Sequence, residues 1–445
     1  MIENDPFSRT VASSSDGQNQ IDTGRRTISI GQELFWKKIC YNYQYMTKSI
    51  GFILSINKDI DINCLVLSIN RVLETYAILR GCFKEDLERL RFEQECSVIS
   101  TEYMLMESDN LALETVNKLS STHFSLNSDS FARSVIVENI SGVRIWIWIA
   151  HPMVWDCLSN TILLTDTQEI YLQKNFSPEK NEPAGSNATN PGSSDFADFV
   201  EWERNYVISQ RSIDARAYWR RHISAPNARC QIDELMLSRY SKNEAGLNFI
   251  DIKDATWDKI VSVSNKERCT PFITLLGLFG ACLAKHFNVK AVKINVETDL
   301  RPNASYKRCV GYLTSDVLLI LDSVKWETPI EAIRLTRQTF LEALEHRHSF
   351  ALDLIQSGRG CVGNFLSHRP KITFASVQKL PVTVLGLSHS DGLMSEIALD
   401  DSLRVSLHTS LSGRWLSLRS SWRSEFHSDF HLLRDNYACA IHSIL

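Results

Sequence analysis

Residues 144–157 read Arg-Ile-Trp-Ile-Trp-Ile-Ala-His-Pro-Met-Val-Trp-Asp-Cys, and the placing of this stretch decides how the rest of the chain is read. After Arg144, residues 145–149 alternate Ile and Trp and Ala150 follows, a continuous apolar run with the composition of a strand over 144–150. His151 breaks the run, and Pro152 has no backbone N–H to give a sheet ladder, so a loop begins there. Helical spacing resumes over residues 159–172. His151 and Asp156 thus share one short loop between a strand and a helix, with Cys157 closing it.

Upstream, residues 134–138 predict a second strand. Residues 62–74 predict a helix carrying Leu65, Leu67, Ile69, Val72 and Leu73, with Asp61 as its N-cap and a turn at Gly81 and Cys82. Downstream, residues 175–194 (NFSPEKNEPAGSNATNPGSS) are dense in Pro, Gly, Ser and Asn and have no face to bury. We read 1–27 as a flexible leader, 28–174 as an N-terminal lobe, 175–194 as a linker and 195–445 as a C-terminal lobe. In that second lobe residues 271–286 predict an almost wholly apolar core helix. Strands are expected at 292–296, 317–321, 372–377 and 403–407, and helices at 326–345 and 427–445. Without regular βα alternation, the class is α+β.

The chain has 445 residues, 44% of them hydrophobic, enough for two lobes of roughly 200 residues each. A net charge of −4 gives no reason to expect a nucleic-acid partner. No apolar run reaches the length of a membrane span and residues 1–26 are polar, so neither a membrane partner nor a secretory signal is expected. The 11 cysteines are scattered, with no pair at the two-residue spacing of a zinc knuckle. That usage fits a reducing cytoplasm and no structural metal.

Taken in order, several segments resemble the motif set of the condensation domains of nonribosomal peptide synthetases. Residues 30–36 (IGQELFW) are similar to the opening S-x-A-Q-x-x-L-W, and 75–83 (TYAILRGCF) to R-H-E-x-L-R-T-x-F, with its polar triplet replaced by Thr75, Tyr76 and Ala77. Residues 124–133, 196–204 (FADFVEWER), 217–220 (AYWR) and 270–276 (TPFITLL) resemble F-D-L-x-x-G-P-L-x-R, Y-A-D-Y-x-x-W-Q-R, its following Y-W, and T-P-F-M-x-L-L. Arg301 and Gly311 match the family's G-R…G-F segment, and His346 and Phe350 its L-x-H-x-x-x-P-F region. The resemblance implies two chloramphenicol-acetyltransferase-like lobes in a V-shaped pseudo-dimer with a central tunnel. Carrier-borne substrates enter that tunnel from opposite faces.

The family's signature H-H-x-x-x-D-G falls on residues 151–157, and here it departs from the pattern. The tunnel-facing second histidine is Pro152 and the glycine is Cys157. Proline offers no proton donor or acceptor in its side chain, so it cannot orient or deprotonate an acceptor amine or hydroxyl. A one-residue slip could present His151 instead. The resemblance makes Asp156 structural and pairs it with Arg301 across the lobe boundary, since a buried carboxylate must be paired; an exposed loop position is the alternative. Cys157 is either a nucleophile activated by the helix start or a small side chain narrowing the tunnel. His368, before the strand at 372, is placed at the tunnel mouth, with His346 and His348 as further candidates. Pro152 and Trp155 are expected to line the tunnel, Trp155 by packing or by touching substrate.

Two functions follow from the resemblance. One is an acyltransferase that joins a carrier-bound acyl or peptidyl thioester to an amine or alcohol, the amine favoured because it needs a base less, or releases or cyclises it, at a modified site. The other is a catalytically silent module that recruits carrier proteins or tailoring enzymes. No cofactor is expected to be resident. Substrates would arrive on phosphopantetheine arms of carrier proteins in trans, with an amine-bearing small molecule or a second carrier-bound substrate as acceptor. The run from Met1 to the last expected helix reads as a separate polypeptide.

Overall fold

The computed structural model describes residues 28–41, 49–86, 89–94, 99–120, 124, 130–176, 195–224, 231–241, 244–352, 371–377, 388–389, 401–409 and 413–444. The leader, residues 177–194 of the linker, and His368 lie outside them.

The first half contains α1 (Ile30–Tyr41), β1 (Ile50–Ile56), α2 (Ile62–Thr75), β2 (Gly81–Asp86), β3 (Arg89–Gln94), β4 (Thr101–Met106), α3 (Asp109–Ser120), β5 (Ala132–Asn139), β6 (Arg144–Ala150) and α4 (Cys157–Phe176). The second contains α5 (Phe196–Val207), α6 (Gln210–Ser224), α7 (Gln231–Arg239), β7 (Gly246–Ile252), α8 (Asp254–Lys266), α9 (Pro271–Phe287), β8 (Ala291–Asp299), β9 (Thr314–Asp322), α10 (Pro329–Glu345), β10 (Lys371–Val377), β11 (Ser388–His389), β12 (Asp401–Thr409), β13 (Arg414–Ser420) and α11 (His427–His442).

Two sheets organise these elements. One runs β11-β1-β6-β5-β4 and the other β7-β13-β12-β10-β8-β9. Strand β6 lies inside the first sheet, antiparallel to β1 and β5. Its alternate residues bury into different clusters: Trp146, Trp148 and Ala150 into the main core, Ile147 and Ile149 into a smaller one with Val135 and Val137. Burial on both faces explains why this strand is apolar without alternation. Gly51 makes the pairing possible, because a Cβ there would stand 1.8 Å from the Trp148 carbonyl oxygen.

In the second sheet β10 runs parallel to both β8 and β12, and β13 returns antiparallel to β12. One face packs on α9 and α11 through Ile294, Phe374, Val405 and Leu418. Helix α9 has Thr270 as N-cap and Pro271 in its first turn, and it is buried nearly all round, as its composition requires. No single helix among the described residues is long and apolar enough to cross a membrane.

The lobes are not contiguous in sequence. Helix α1 sends Ile30 and Leu34 into the second core and Phe35, Trp36 and Ile39 into the first. Phe196, Phe199 and Val200 of α5 join the first core, as do Leu300, Cys309 and Leu313, and β11 adds a strand to the first sheet. The boundary at residue 195 therefore separates chain segments rather than packed bodies. Two local expectations change. Gly81 and Cys82 open strand β2 instead of a turn, because Phe83 is buried against Phe92 and Phe131. The helix expected from residue 326 begins at Pro329, where Thr328 and Glu331 form a capping box.

The Gly51 contact yields a prediction. Gly51→Ala should lower unfolding stability by about 3 kcal/mol, because the new methyl meets backbone that cannot swing away. A denaturant midpoint equal to that of the wild type would contradict the β1–β6 register.

Candidate active site at the lobe junction

The loop after β6 is fixed residue by residue. The His151 N–H donates to the Phe131 carbonyl at 2.7 Å, and the Val154 and Trp155 amides turn back to the carbonyls of His151 and Pro152. Gln32, on α1, donates from Nε2 to the Met153 carbonyl at 2.7 Å. Residues 151–156 are all buried.

Asp156 stands immediately before α4. Its Oδ1 accepts the Ser159 amide at 2.8 Å and the Ser159 hydroxyl at 2.7 Å, the contacts of a helix N-cap. The same carboxylate meets Arg301: Nη1 lies 3.0 Å from Oδ2 and Nη2 3.3 Å from Oδ1. Both side chains are almost fully enclosed. The Leu313 amide adds a bond to Oδ2 at 3.2 Å. Arg301 completes its set on the Cys309 carbonyl and on Asp299 Oδ1. Burial alone would lower the guanidinium pKa, but the carboxylates of Asp156 and Asp299 outweigh it and hold it above its ordinary value. The structure thus brings Asp156 and Arg301 together, and through them ties the loop to the segment between β8 and β9.

Gly311 belongs to that segment. Its amide donates to Ser159 Oγ at 3.2 Å, its φ is +154°, and a Cβ would meet the Phe196 ring at 2.2 Å. Only glycine fits. Next to it, Tyr312 packs edge-on to Phe35, which in turn contacts His151. Burial, then the charges of Asp316, Glu297 and Asp156, push the Tyr312 hydroxyl above its ordinary pKa. Tyr312 is therefore linked to the loop through Phe35.

His151 is wholly buried between Phe35 and Phe131. Its Nδ1 accepts the Met153 amide at 3.1 Å, which places the neutral ring's proton on Nε2, and Nε2 has no partner among the described residues. Burial pushes its pKa down to about 3. A ring so enclosed and so weakly basic wedges the loop; it is poorly suited to take a proton. Pro152 is buried and presents only methylenes. Trp155 packs on Trp148 and Tyr76 and donates from Nε1 to Asn160 at 2.7 Å, which makes it core. Cys157 is exposed in the first turn of α4, so it does not fill a buried gap.

Of the other candidate histidines, two are described, and both pack against aromatic rings of α5 and α6. His346 ends α10 against Tyr218. His348 is enclosed by Trp202 and Tyr206, and burial, reinforced by Arg347 and Arg211, brings its pKa to about 3. Among the described residues no cluster of His, Cys, Asp or Glu could hold a metal ion. Sequence reasoning missed Ser159 and Tyr312. Ser159 has a signal, an Asp three residues ahead of it at a helix start; Tyr312 has none.

Two measurements test this geometry. Arg301→Met leaves the Asp156 charge buried without its cation and should cost about 3–5 kcal/mol of stability, whereas the double change Asp156→Leu with Arg301→Met should recover part of that loss. A single variant as stable as the wild type would remove the latch from the account. For His151 the folded pKa lies below the unfolded value of 6.5. The stability it contributes is complete above 6.5 and is lost as pH falls toward about 3. Between pH 7 and pH 5 the wild type should lose about 2 kcal/mol through this ring, and His151→Gln should lose that much less. Equal losses in the two proteins would mean that the ring is not enclosed.

The family described as Condensation domain matches residues 37–358. Cyclosporin synthetase simA of Tolypocladium inflatum is 21% identical over 327 residues, covering 71% of this chain and 2% of that protein. The chain spans only 2–6% of the length of the first curated relatives it matches. Among solved structures, the condensation domain of the monacolin K polyketide synthase MokA superposes with a TM-score of 0.74 at 15% identity, covering 94% of this chain and 96% of that one. A structure of condensation domain-mediated chain release from the enacyloxin polyketide synthase gives 0.67 at 15% identity, covering 97% and 85%. The profile match and the shared two-lobed α+β fold agree with the Asp156–Arg301 junction: the chain belongs to the condensation domain family.

Proposed function

We propose that the protein transfers an acyl or peptidyl group from a phosphopantetheine thioester on a carrier protein to an amine, forming an amide or releasing or cyclising the chain. The observation that carries this reading is the anchored loop itself. Asp156, Arg301, Ser159 and Leu313 hold residues 151–157 rigidly at the lobe junction while Pro152 removes the base. A purely structural loop has no need of that position at the meeting of two lobes. Amines attack thioesters without strong base assistance, and aligning two substrates supplies about 7–11 kcal/mol of the barrier. Alcohols depend far more on a base, so ester synthesis is disfavoured. Carrier proteins are the delivery partners, the phosphopantetheine arm belongs to them, and the setting is cytoplasmic.

Recruitment without chemistry is the second reading. It is favoured by the same Pro152 and by the enclosure of His151, which together leave no titrating group on the loop except Asp156, already bound to Arg301, and Cys157.

The test is incubation with acyl-carrier thioesters and candidate amines, following product by mass. Amide should form above the uncatalysed background. Pro152→His should raise its rate by up to about 100-fold for amines and more for alcohols, while Cys157→Ala should leave it unchanged. Carrier protein bound with no product from wild type or Pro152→His would establish recruitment instead.

A further inference from the structure

The face of the second sheet turned away from α9 carries a polar group that the loop chemistry does not use. Along β12, Leu403, Val405 and Leu407 enter the core, so Arg404, Ser406 and His408 take the opposite face; along β13, Trp415, Ser417 and Arg419 do the same. His408 Nε2 lies 2.8 Å from Ser417 Oγ. The two are 5% and 3% exposed. Trp415, directly opposite His408 in the register, stacks on the imidazole with the rings 1° from parallel and 5.1 Å apart. Among the ring-nitrogen contacts of the described histidines, this is the one made to a serine hydroxyl. The others go to backbone carbonyls, an amide or the Asp429 carboxylate.

Glu297, on the same face of β8, accepts both Arg404 nitrogens at 2.8 and 3.0 Å and also acts on Tyr312 beside the loop. In the row containing Ser417, the neighbours across β12 and β10 are Ser406 and Ala375, both small, and the neighbour across β7 is Phe249. On the same face but in the neighbouring row, level with Thr373 and Arg404, Asn295 of β8 is 6% exposed and its Oδ1 has no partner among the described residues. A buried acceptor left open on this face suits the N–H of an amide-bearing ligand.

We propose that Ser417 and His408 form a nucleophile–base pair that takes the acyl group from a thioester before it passes to the acceptor. With the Ser417 hydroxyl donating to Nε2, the oxygen attacks the thioester carbonyl carbon and Nε2 takes the proton. The C–S bond breaks, and the departing thiolate leaves as a thiol with the proton returned from the imidazolium. An acceptor amine then attacks the serine ester and gives its proton to Nε2. The C–O bond breaks and Ser417 recovers its hydrogen. Serine needs such a base, because its free hydroxyl is a weak nucleophile at neutral pH. Trp415 holds the ring against the hydroxyl as a positioning residue. This pair supplies the basic nitrogen that Pro152 lacks, and it rests on the thioester reading above for its donor class.

The experiment treats the full chain with an acyl N-acetylcysteamine thioester and, separately, with a fluorophosphonate, and maps any adduct by peptide mass. An acyl or phosphonyl group on Ser417 in the wild type, reduced at least 10-fold in a folded His408→Gln protein and absent in Ser417→Ala, is the expected result. No adduct at Ser417 with either reagent, or labelling unaffected by His408→Gln, overturns the proposal and leaves a buried hydrogen bond within the sheet. The two readings fail separately. Amide formation that persists in Ser417→Ala removes this pair but keeps the transfer function; an adduct on Ser417 with no transfer from any carrier does the reverse.

Discussion

The ion pair between Asp156 and Arg301 is the constraint on which the junction depends. Neither side chain could be buried alone, because an enclosed unpaired charge costs several kcal/mol. Each is therefore committed to the other, and each carries a different body with it. Asp156 brings the end of the β6 loop and the start of α4, and Arg301 brings the segment between β8 and β9 with Gly311 and Leu313. The result is a loop whose position is set by both lobes at once.

The same logic appears around it. Helix α1 is shared between the two cores, α5 crosses to the first, and Glu203 of α5 accepts the Ile30 amide at 2.6 Å. Arg308 reaches from the second half to Asp166 and Glu169 on α4, and Asp166 also receives the Tyr76 hydroxyl. Burial raises the Asp166 pKa, partly offset by the bonds from Tyr76 and Arg308. Exchanged segments, their apolar side chains and paired charges join the halves. The arrangement holds the backbone at the junction from both halves.

Much of this was legible in the sequence for a physical reason. Strand β6 is buried on both faces, so its composition was unambiguous, and Asp61 marked a helix start through the side chain that caps it, whereas the caps Thr270 and Thr328 went unread and the start of α10 was placed too early. The pairing of Asp156 with Arg301 was reachable only through the family resemblance, since nothing local links residues 145 positions apart. The enclosure of His151 was not legible at all. It depends on Phe35 and Phe131 arriving from distant segments, and the same residue type on an open loop would be a base. His408 and Ser417 escaped attention because alternation along β12 and β13 puts them together only once the register is known.

The central claim is that acyl transfer takes place beside residues 151–157 at the lobe junction. A crystal structure with a non-hydrolysable acyl-pantetheine amide bound tests it most directly. The acyl carbonyl carbon should lie beside the loop of residues 151–157. A ligand bound on the outer surface of either lobe, with the junction closed, would contradict it.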